Sequence, residues 1–153
     1  WKDLSGSFGF TLQMLEKYQD RLDWEEVSEN TNIVWTMDIL EKFKRRINWT
    51  EFTRRCDEDV LTPEIIDRFK DYFDWKELSK KSSLTIAIAE KYPDLIDWKE
   101  IIYCYHYDDI LTRDFFEKYK EYIPASAFMD SHLWNNIVAD IRKGIERKLR
   151  SGE

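Results

Sequence analysis

The sequence contains few of the residues that interrupt or cross-link a chain. Only four Gly and three Pro occur among 153 residues, so a long flexible linker is not expected. The two cysteines, Cys56 and Cys104, lie far apart and form neither a CxxC pair nor a disulfide framework. This cysteine usage favours a reducing compartment, and we expect a cytoplasmic protein, or an intracellular one in a host cell.

Long apolar runs and an excess of positive charge are also missing. No apolar run approaches the roughly 20 residues that a membrane-spanning helix requires. The 24 Lys and Arg are outnumbered by 31 Asp and Glu, which gives a formal net charge of −7. Because phosphates favour basic surfaces, this balance argues against nucleic acid as the main partner. Hydrophobic residues make up 42% of the chain, which is enough for a buried core.

What the sequence does contain is one pattern that occurs five times. Trp recurs at positions 1, 24, 49, 75 and 98, and Thr recurs at positions 11, 36, 62, 85 and 112. Wherever a Trp follows a Thr the step is 13 residues, whereas the step from Trp to the next Thr varies from 10 to 14 residues. A constant half and a variable loop in every copy indicate a repeat array.

The constant half begins with a predicted helix, which we call the Thr helix. Apolar residues stand three, four, seven and eleven positions after each Thr, as Ile65, Ile66, Phe69 and Phe73 do after Thr62. This spacing follows the 3.6-residue period of a helix with one buried stripe. The Thr hydroxyl is suited to accept a hydrogen bond from the first turn. We therefore expect a long helix that extends to the fourth apolar position.

A second, shorter helix is predicted to start at each Trp, and we call it the Trp helix. Asp or Asn precedes the Trp, and Glu follows three positions after that residue, as Asp74 and Glu77 do around Trp75. This spacing is that of a capping box, in which both side chains bind backbone N–H groups. A helix this short needs packing to be stable. The indole rings predicted to form the structural core are those of Trp24, Trp49, Trp75 and Trp98.

Together these patterns predict an all-α fold, an α-solenoid of five short helix-pair repeats with a C-terminal capping helix. Residues 1–123 are expected to form the repeat array. Residues 124–153 are expected to form a degenerate repeat and the capping helix within the same continuous domain. The capping helix is predicted from about Leu133 to Leu149, with one apolar and one basic side. The first copy begins at Trp1 without a cap or a Thr helix before it, which suggests further repeats upstream.

The recurring motif also resembles a known kind of repeat. Asp-Trp, two variable residues, an apolar residue and Ser are followed by a variable loop and by an apolar-Thr pair. The motif is carried by DWEEVS, NWTEFT, DWKELS and DWKEII, with WKDLS at the start. It resembles tandem repeats of uncharacterised giant-virus, phage and bacterial proteins. The resemblance implies a helical interaction scaffold and no particular activity. NWTEFT and DWKEII depart from the pattern because they lack the Ser.

The variable loops are the expected binding edge, because the loops of stacked repeats emerge on one face. The longest loop is rich in Tyr, which offers large apolar area with a polar end at binding sites. Either its side chains form a contact patch, or two of the rings pack inward and the rest are ordinary surface. The predicted contact residues of this loop are Tyr103, Tyr105, His106, Tyr107, Asp108 and Asp109.

A second candidate contact region follows the Trp49 helix, where charges of both signs stand together. Arg54, Arg55, Asp57 and Glu58 are its predicted contact residues. The alternative interpretation is a solvated face that needs no partner. RNA reading by helical repeats requires matching polar residues in successive copies, and these loop residues do not match.

No stretch of the sequence has the pattern of a catalytic or metal site. Cys104, His106 and Asp108 alternate, but a structural zinc site takes four ligands and no second Cys/His pair exists. A Cys104–His106 dyad would lack an orienting group and oxyanion donors. We therefore predict no metal, no cofactor and no enzymatic activity.

The sequence thus predicts a non-enzymatic module that binds another protein through the loop edge. The alternative is an inhibitor or immunity-type protein of viral, phage or bacterial conflict. Such a protein would block an enzyme by presenting carboxylates where the enzyme expects phosphates. The acidic loop residues that motivate this alternative are Glu29, Asp57, Glu58, Asp59, Asp108 and Asp109.

Overall fold

A computed structural model describes residues 1–151 of the chain, and this range is helical with no strand. Short 3-10 helices span Glu58–Val60 and Tyr105–Tyr107. The α-helices are α1 Lys2–Ser7, α2 Leu12–Tyr18, α3 Trp24–Glu29, α4 Met37–Phe43, α5 Trp49–Arg55, α6 Pro63–Phe69, α7 Trp75–Ser79, α8 Ile86–Lys91, α9 Trp98–Tyr103, α10 Arg113–Tyr119, α11 Ala125–Phe128 and α12 His132–Ser151. The predicted all-α helical repeat solenoid is confirmed.

The chain divides into two compact units, which we call unit 1 (Trp1–Ile88) and unit 2 (Ala89–Glu153). In unit 1 the Trp helices α1, α3, α5 and α7 contact one another in chain order. In unit 2, α9 contacts α11 and α12, and α10 contacts α12. These helices therefore pack against near neighbours in sequence, as expected of stacked repeats.

The predicted caps of the Thr helices are all present. Each Thr hydroxyl accepts a hydrogen bond from the backbone N–H three residues later, for example Thr36 from Ile39 at 3.4 Å and Thr62 from Ile65 at 3.3 Å. The same bond forms at Thr11, Thr85 and Thr112. A cap of this kind depends only on residues within one turn, which explains why the sequence predicts it well.

The predicted length of the Thr helices is wrong. They have six or seven residues, about the same as the Trp helices, and they end before the fourth apolar position. After α4 the backbone N–H groups of Arg46 and Ile47 both donate to the Phe43 carbonyl. The Trp49 indole N–H donates to the next carbonyl, that of Lys44, at 2.8 Å. Because the chain turns there, the turn rather than the helix brings Ile47 into the core.

The Trp helices α3, α5, α7 and α9 have the predicted Asp or Asn cap, but in α3 the second half of the capping box does not form. Asp23 Oδ1 accepts from the N–H groups of Glu25 and Glu26, as predicted. The Glu26 carboxylate binds Lys2 at 3.3 Å instead of the Asp23 N–H. The Asp23 N–H donates to the Ser5 hydroxyl of the preceding Trp helix at 3.0 Å. Tertiary packing therefore supplies the acceptor that the local motif was expected to provide.

This contact between successive Trp helices recurs in unit 1, and we call it the hydroxyl joint. The Ser28 hydroxyl donates to the Trp24 carbonyl at 2.5 Å and accepts from the Asn48 N–H at 2.9 Å. Thr53 repeats the arrangement, accepting from the Asp74 N–H at 3.4 Å. Both hydroxyl residues are buried. The Ser that NWTEFT lacks is thus replaced by a residue with the same hydroxyl.

The indole rings join neighbouring helices in two ways. Each N–H donates to the carbonyl five residues earlier, which lies just past the end of the preceding Thr helix. The ring of Trp49 then packs against Phe69 of the next Thr helix, with ring centroids 5.3 Å apart. Trp98 packs in the same way against Tyr119, at 5.0 Å. The aromatic contacts therefore continue from one repeat to the next.

The burial of these rings confirms the predicted core only in part. Trp49 and Trp98 are 8% and 4% exposed, so their side chains belong to the core. Trp24 and Trp75 are half-buried and keep part of the ring accessible. Trp1, at the start of unit 1, is 52% exposed.

The predicted C-terminal helix exists as α12, but only its first turns act as a cap. Leu133 and Ile137, in the first turns of α12, are buried within unit 2. Ile141, Ile145 and Leu149 continue the same stripe and are exposed. The apolar stripe is therefore longer than the surface that it covers, and the capping contact is confined to the first turns of α12.

Candidate interaction surface

The variable loops of unit 1 lie side by side. The Asn30 amide donates to the carbonyls of Ser5 and Phe8 in the first copy, at 2.8 and 2.9 Å. The Lys81 ammonium makes the corresponding bonds to the carbonyls of Arg54 and Cys56. Each of these side chains binds the end of the preceding Trp helix and the start of the loop that follows it, so the first loop is joined to the second and the third to the fourth.

Gly9 in the first loop has a steric role in this contact. A Cβ at this position would lie 3.0 Å from the backbone carbonyl oxygen of Asn32 in the neighbouring loop. Backbone cannot give way as the end of a side chain can, so a larger residue would push the two loops apart. The close approach of adjacent loops therefore favours glycine at this position.

The loop after α9, which we call the fifth loop (residues 104–112), was the main predicted contact region. Tyr107 is buried, so its ring belongs to the core and the prediction that it contacts a partner is wrong. Tyr103 ends α9, is half-buried, and has the Lys99 ammonium 5.9 Å from its ring centroid. The Tyr107 ring therefore packs fully inward and the Tyr103 ring partly so. This is close to the alternative interpretation, in which two rings of this loop pack inward.

The remaining predicted residues of the fifth loop form an exposed cluster. Tyr105 is 66% exposed, and its ring centroid lies 4.2 Å from that of the exposed His106. Asp108 and Asp109 follow and are also exposed. Two adjacent rings and two carboxylates are thus available on this loop.

An open groove of about 520 Å³ lies beside the loop in unit 2. Its walls are the acidic end of the fifth loop, the start of α10 and one face of α12. Asn136 of α12 holds the loop, because its amide donates to the carbonyls of Asp108 and Leu111 at 3.3 and 3.2 Å. His132 Nδ1 lies 3.4 Å from Asp108 Oδ1. The groove is therefore built on a loop that is fixed in place by α12.

The charges around this groove are unequal. Four carboxylates line it, against one guanidinium and one ammonium group. Complementary charge favours a binding segment that carries Lys or Arg side chains. The charged residues of the lining are Asp108, Asp109, Asp114, Asp140, Arg113 and Lys143.

Sequence reasoning missed the α12 side of this groove. Asp140 and Lys143 stand on a helix that was interpreted only as a cap. Their approach to the fifth loop joins segments that are far apart in sequence. No local spacing signals such a contact, and the polar Asn136 within the apolar stripe was the only available hint.

The second predicted contact region, after the Trp49 helix, is engaged in ion pairs of unit 1. Arg54 pairs with Glu51 one turn earlier. Arg55 lies 3.6 Å from Glu29 of the preceding Trp helix. The Glu58 carboxylate accepts a hydrogen bond from the Ser82 hydroxyl. Because these charges have partners within the fold, the interpretation of a solvated, ion-paired face accounts for them.

The acidic residues proposed for mimicry fall into two groups. Asp57, Glu58 and Asp59 stand together and exposed in unit 1, where Glu29 already pairs with Arg55. Asp108 and Asp109 stand in unit 2. A single line of carboxylates across all of them stays a prediction.

The described residues give no support to a metal site or to a reactive thiol at the candidate positions. Within residues 1–151 no three His, Cys, Asp or Glu side chains converge as metal ligands, and this includes Cys104, His106 and Asp108. Cys56 is buried in the core, and burial raises the pKa of its thiol to about 11. The thiolate is the reactive form, so this Cys is inert at neutral pH.

A further regularity, which sequence reasoning treated as surface charge, links the Thr helices. An acid five residues after one Thr pairs with a base six residues after the next: Glu16 with Lys42, Glu41 with Arg68, and Glu90 with Lys118. The Tyr119 hydroxyl also donates to Glu90, at 2.5 Å. Bonds from Lys118 and Tyr119 lower the pKa of the Glu90 carboxyl. Because solvent screens exposed pairs of this kind, each contributes little to stability.

The fold and surface together define an all-α helical repeat protein with an exposed loop-and-groove surface. No helix within residues 1–151 combines the length and the apolar character needed to cross a bilayer. No protein-family model matches the chain, and no curated protein or solved structure matches it either. Its function must therefore be inferred from its own geometry.

Proposed function

We propose that this protein is a non-enzymatic interaction module that binds a segment of another protein at the fifth loop and the adjoining groove. The observation that carries the proposal is that one loop has two exposed rings, Tyr105 and His106, while its acidic end lines an open groove with an excess of carboxylates. Exposed aromatic side chains are typical anchors of protein interfaces. The carboxylates favour a segment with basic side chains.

The proposed surface is also held in a defined shape before any partner arrives. Asn136 binds two carbonyls of the loop, and the buried Tyr107 holds its middle in the core. A loop that is already ordered loses less conformational entropy on binding. The surface of unit 2 is thus suited to binding a partner without refolding.

The test is affinity capture from a cell extract with three forms of the chain. The native chain is compared with a Tyr105→Ala/His106→Ala variant and with a Val34→Ser control, which alters another exposed apolar side chain in a unit 1 loop. We expect a partner that is retained by the native chain and the control and lost with the double variant. Equal capture by all three forms would exclude the fifth loop.

Charge provides a second readout of the same proposal. Asp109→Lys reverses one exposed carboxylate of the groove lining. We expect weaker capture, and capture by the native chain that decreases as salt concentration rises. A partner whose retention ignores both changes would not be using the acidic groove.

A second candidate function is inhibition of a nucleic-acid enzyme by acidic mimicry. It is favoured by two separate groups of exposed carboxylates, one at residues 57–59 in unit 1 and one at residues 108–109 in unit 2. The resemblance of the repeats to those of viral, phage and bacterial proteins fits such a role. The captured partner is tested for release by duplex DNA or RNA. Capture is also measured with an Asp108→Asn/Asp109→Asn variant, in which Asp57 and Asp59 stay intact. Release by nucleic acid supports mimicry, and a partner indifferent to nucleic acid removes it.

A further inference from the structure

The second half of α12 carries an apolar stripe that the described part of the chain leaves open to solvent. Ile141, Ile145 and Leu149 stand at four-residue intervals and are 49%, 55% and 77% exposed. A Cβ added at Gly144, within this segment, would meet no neighbouring atom within 4 Å. Leu133, in the first turn of the same helix, is fully buried. The second half of α12 therefore extends past the helices that its first turns contact.

This half of the helix is also strongly basic. Residues 141–150 include five bases and a single acid, Glu146, in a chain whose formal net charge is −7. Bases elsewhere commonly find a carboxylate within the fold, as Lys118 does with Glu90. Within residues 1–151, no ion pair involves the five bases of this segment. They are Arg142, Lys143, Arg147, Lys148 and Arg150. The segment thus presents positive charge that the fold does not neutralise.

The helical period arranges these bases around the stripe. With 3.6 residues per turn, Arg142 lies on one border of the stripe and Lys148 on the other. Lys143, Arg147 and Arg150 lie on the opposite face of the helix. Long basic side chains can lay their apolar stems along a nonpolar surface and keep their charged ends in a polar layer. An apolar stripe bordered by cations is the arrangement of a helix that lies in a membrane interface.

We propose that the second half of α12 binds flat on the surface of a lipid bilayer with anionic headgroups. The apolar stripe enters the boundary between headgroups and acyl chains, and the cations at its borders contact lipid phosphates and carboxylates. A nucleic acid would attract the same cations but leave the three apolar side chains in water. A second copy of the chain would place one set of five bases against another, and like charges repel. An anionic bilayer is the partner that matches both the stripe and the charge.

The experiment measures binding of the native chain to lipid vesicles by flotation. One set of vesicles contains phosphatidylcholine alone, and in a second set phosphatidylserine replaces part of it. Two variants alter only exposed positions of α12, so the fold should be kept, and circular dichroism checks this. Ile145→Gln/Leu149→Gln removes most of the apolar stripe, and Arg142→Glu/Lys148→Glu reverses the charges at its borders.

Each variant has a matched control elsewhere on the surface. Val34→Gln/Met129→Gln removes two exposed apolar side chains outside α12, which are 80% and 60% exposed. Lys17→Glu/Arg45→Glu gives the same net charge as the charge-reversed variant, but at exposed positions of unit 1. The controls therefore separate the effect of α12 from a general change in surface polarity or charge.

We expect the native chain and both controls to float with the phosphatidylserine vesicles and not with phosphatidylcholine alone. Each α12 variant should lower the bound fraction by about tenfold or more, and high salt should weaken binding of the native chain. The proposal is overturned if the native chain binds neither kind of vesicle, or binds both equally. It is also overturned if the Gln variant binds as well as the native chain, since charge alone would then suffice.

Two further measurements identify the other possible occupants of this surface. A mobility shift with duplex DNA that Arg142→Glu/Lys148→Glu abolishes, without vesicle binding, would assign the bases to nucleic acid. A concentration-dependent dimer in sedimentation that Ile145→Gln/Leu149→Gln dissociates, again without vesicle binding, would assign the stripe to a second copy. Either result would replace the bilayer as the partner of α12.

Discussion

The joint between α3 and α5 in unit 1 differs from the joint between α9 and α11 in unit 2 at three equivalent positions. In the first, the Ser28 hydroxyl accepts from the Asn48 N–H, and Trp49 inserts its indole. In the second, the corresponding residues are Ile102, Pro124 and Ala125. The hydroxyl, the N–H and the indole are all absent from the same joint.

The difference shows that the donor and the acceptor disappear together. Pro124 has no N–H to donate, and Ile102 has no hydroxyl to accept. Losing one partner would leave a polar group without a hydrogen bond and lower the free energy of unfolding. Replacing both partners with apolar groups changes that free energy little. Aromatic packing replaces the indole, because Phe128 stacks on Phe116 at 4.5 Å and meets Trp134 at 5.4 Å. At this joint the polar pair and the indole are thus replaced together by apolar and aromatic side chains.

Removing the indole from the first joint should have the largest effect. Trp49 contacts several aromatic rings and binds the Lys44 carbonyl, so its removal deletes both kinds of contact at once. Trp49→Ala is expected to lower the free energy of unfolding by about 3–5 kcal/mol, as is typical of buried Trp. Trp1→Ala, at a 52% exposed position, should cost clearly less. Urea denaturation measures both, and equal losses would contradict a role for the indole in the joint.

Removing only the hydroxyl from the first joint should lower the free energy of unfolding by less. Ser28→Ala leaves the Asn48 N–H without its acceptor in a partly buried place, which should cost about 1 kcal/mol, the net contribution of a typical hydrogen bond. Ser28→Thr keeps the hydroxyl, and Thr53 already occupies the equivalent position one repeat later. The Thr variant should therefore be closer to the native chain in urea denaturation. If Ser28→Ala and Ser28→Thr have the same free energy of unfolding, the hydroxyl joint contributes nothing to stability.

The second joint can be converted into the first by a double-mutant cycle. Ile102→Ser restores the hydroxyl and Pro124→Asp restores the N–H and the cap. Each change alone should destabilise unit 2, but the pair should show a favourable coupling of about 0.5–1.5 kcal/mol, which is the net contribution of one hydrogen bond. The cycle is measured by urea denaturation of the four proteins. Additive losses would mean that these positions do not meet as their counterparts do.

The smallest expected effect concerns the polar link that unit 2 keeps, between Glu90 and Lys118. The hydrogen bond from Lys118 and then that from Tyr119 lower the pKa of Glu90 in the folded chain. The link therefore stabilises the fold above the unfolded pKa of about 4.3, and this stabilisation is lost as pH falls through the lower folded pKa.

Glu90→Gln should accordingly make stability less dependent on pH between about pH 5 and pH 3. Glu121→Gln, at an exposed position of the same unit, serves as the matched control and should leave the pH profile unchanged. Urea denaturation across this pH range measures both variants. The same profile for Glu90→Gln and the native chain would show that the link is not formed in solution.

Most of the fold could be predicted because its signals are local. Thr36 caps a helix through an N–H three residues away, and the apolar stripe of α4 repeats within two turns. The helix lengths were predicted less well. The turn after Phe43 depends on the Trp49 indole binding the Lys44 carbonyl, and apolar periodicity carries no information about that bond.

The candidate site could be predicted only in outline. The aromatic residues of the fifth loop predicted a contact region, and Tyr105 and His106 are exposed, as such a region requires. Which ring points inward is decided by the space available in the core, which is why Tyr107 was misplaced. The groove could not be predicted, since α12 reaches the loop from a distant part of the chain.

The sequence by itself determined the number of repeats, the helix starts and the residues that cap them, because capping and amphipathic periodicity act within a few residues. Only the tertiary structure decided that Asp23 donates to Ser5 rather than closing a capping box, and that α12 shares a groove with the fifth loop. Those contacts join groups from different repeats. Their free energy depends on the burial that stacking creates, and a single repeat does not contain it.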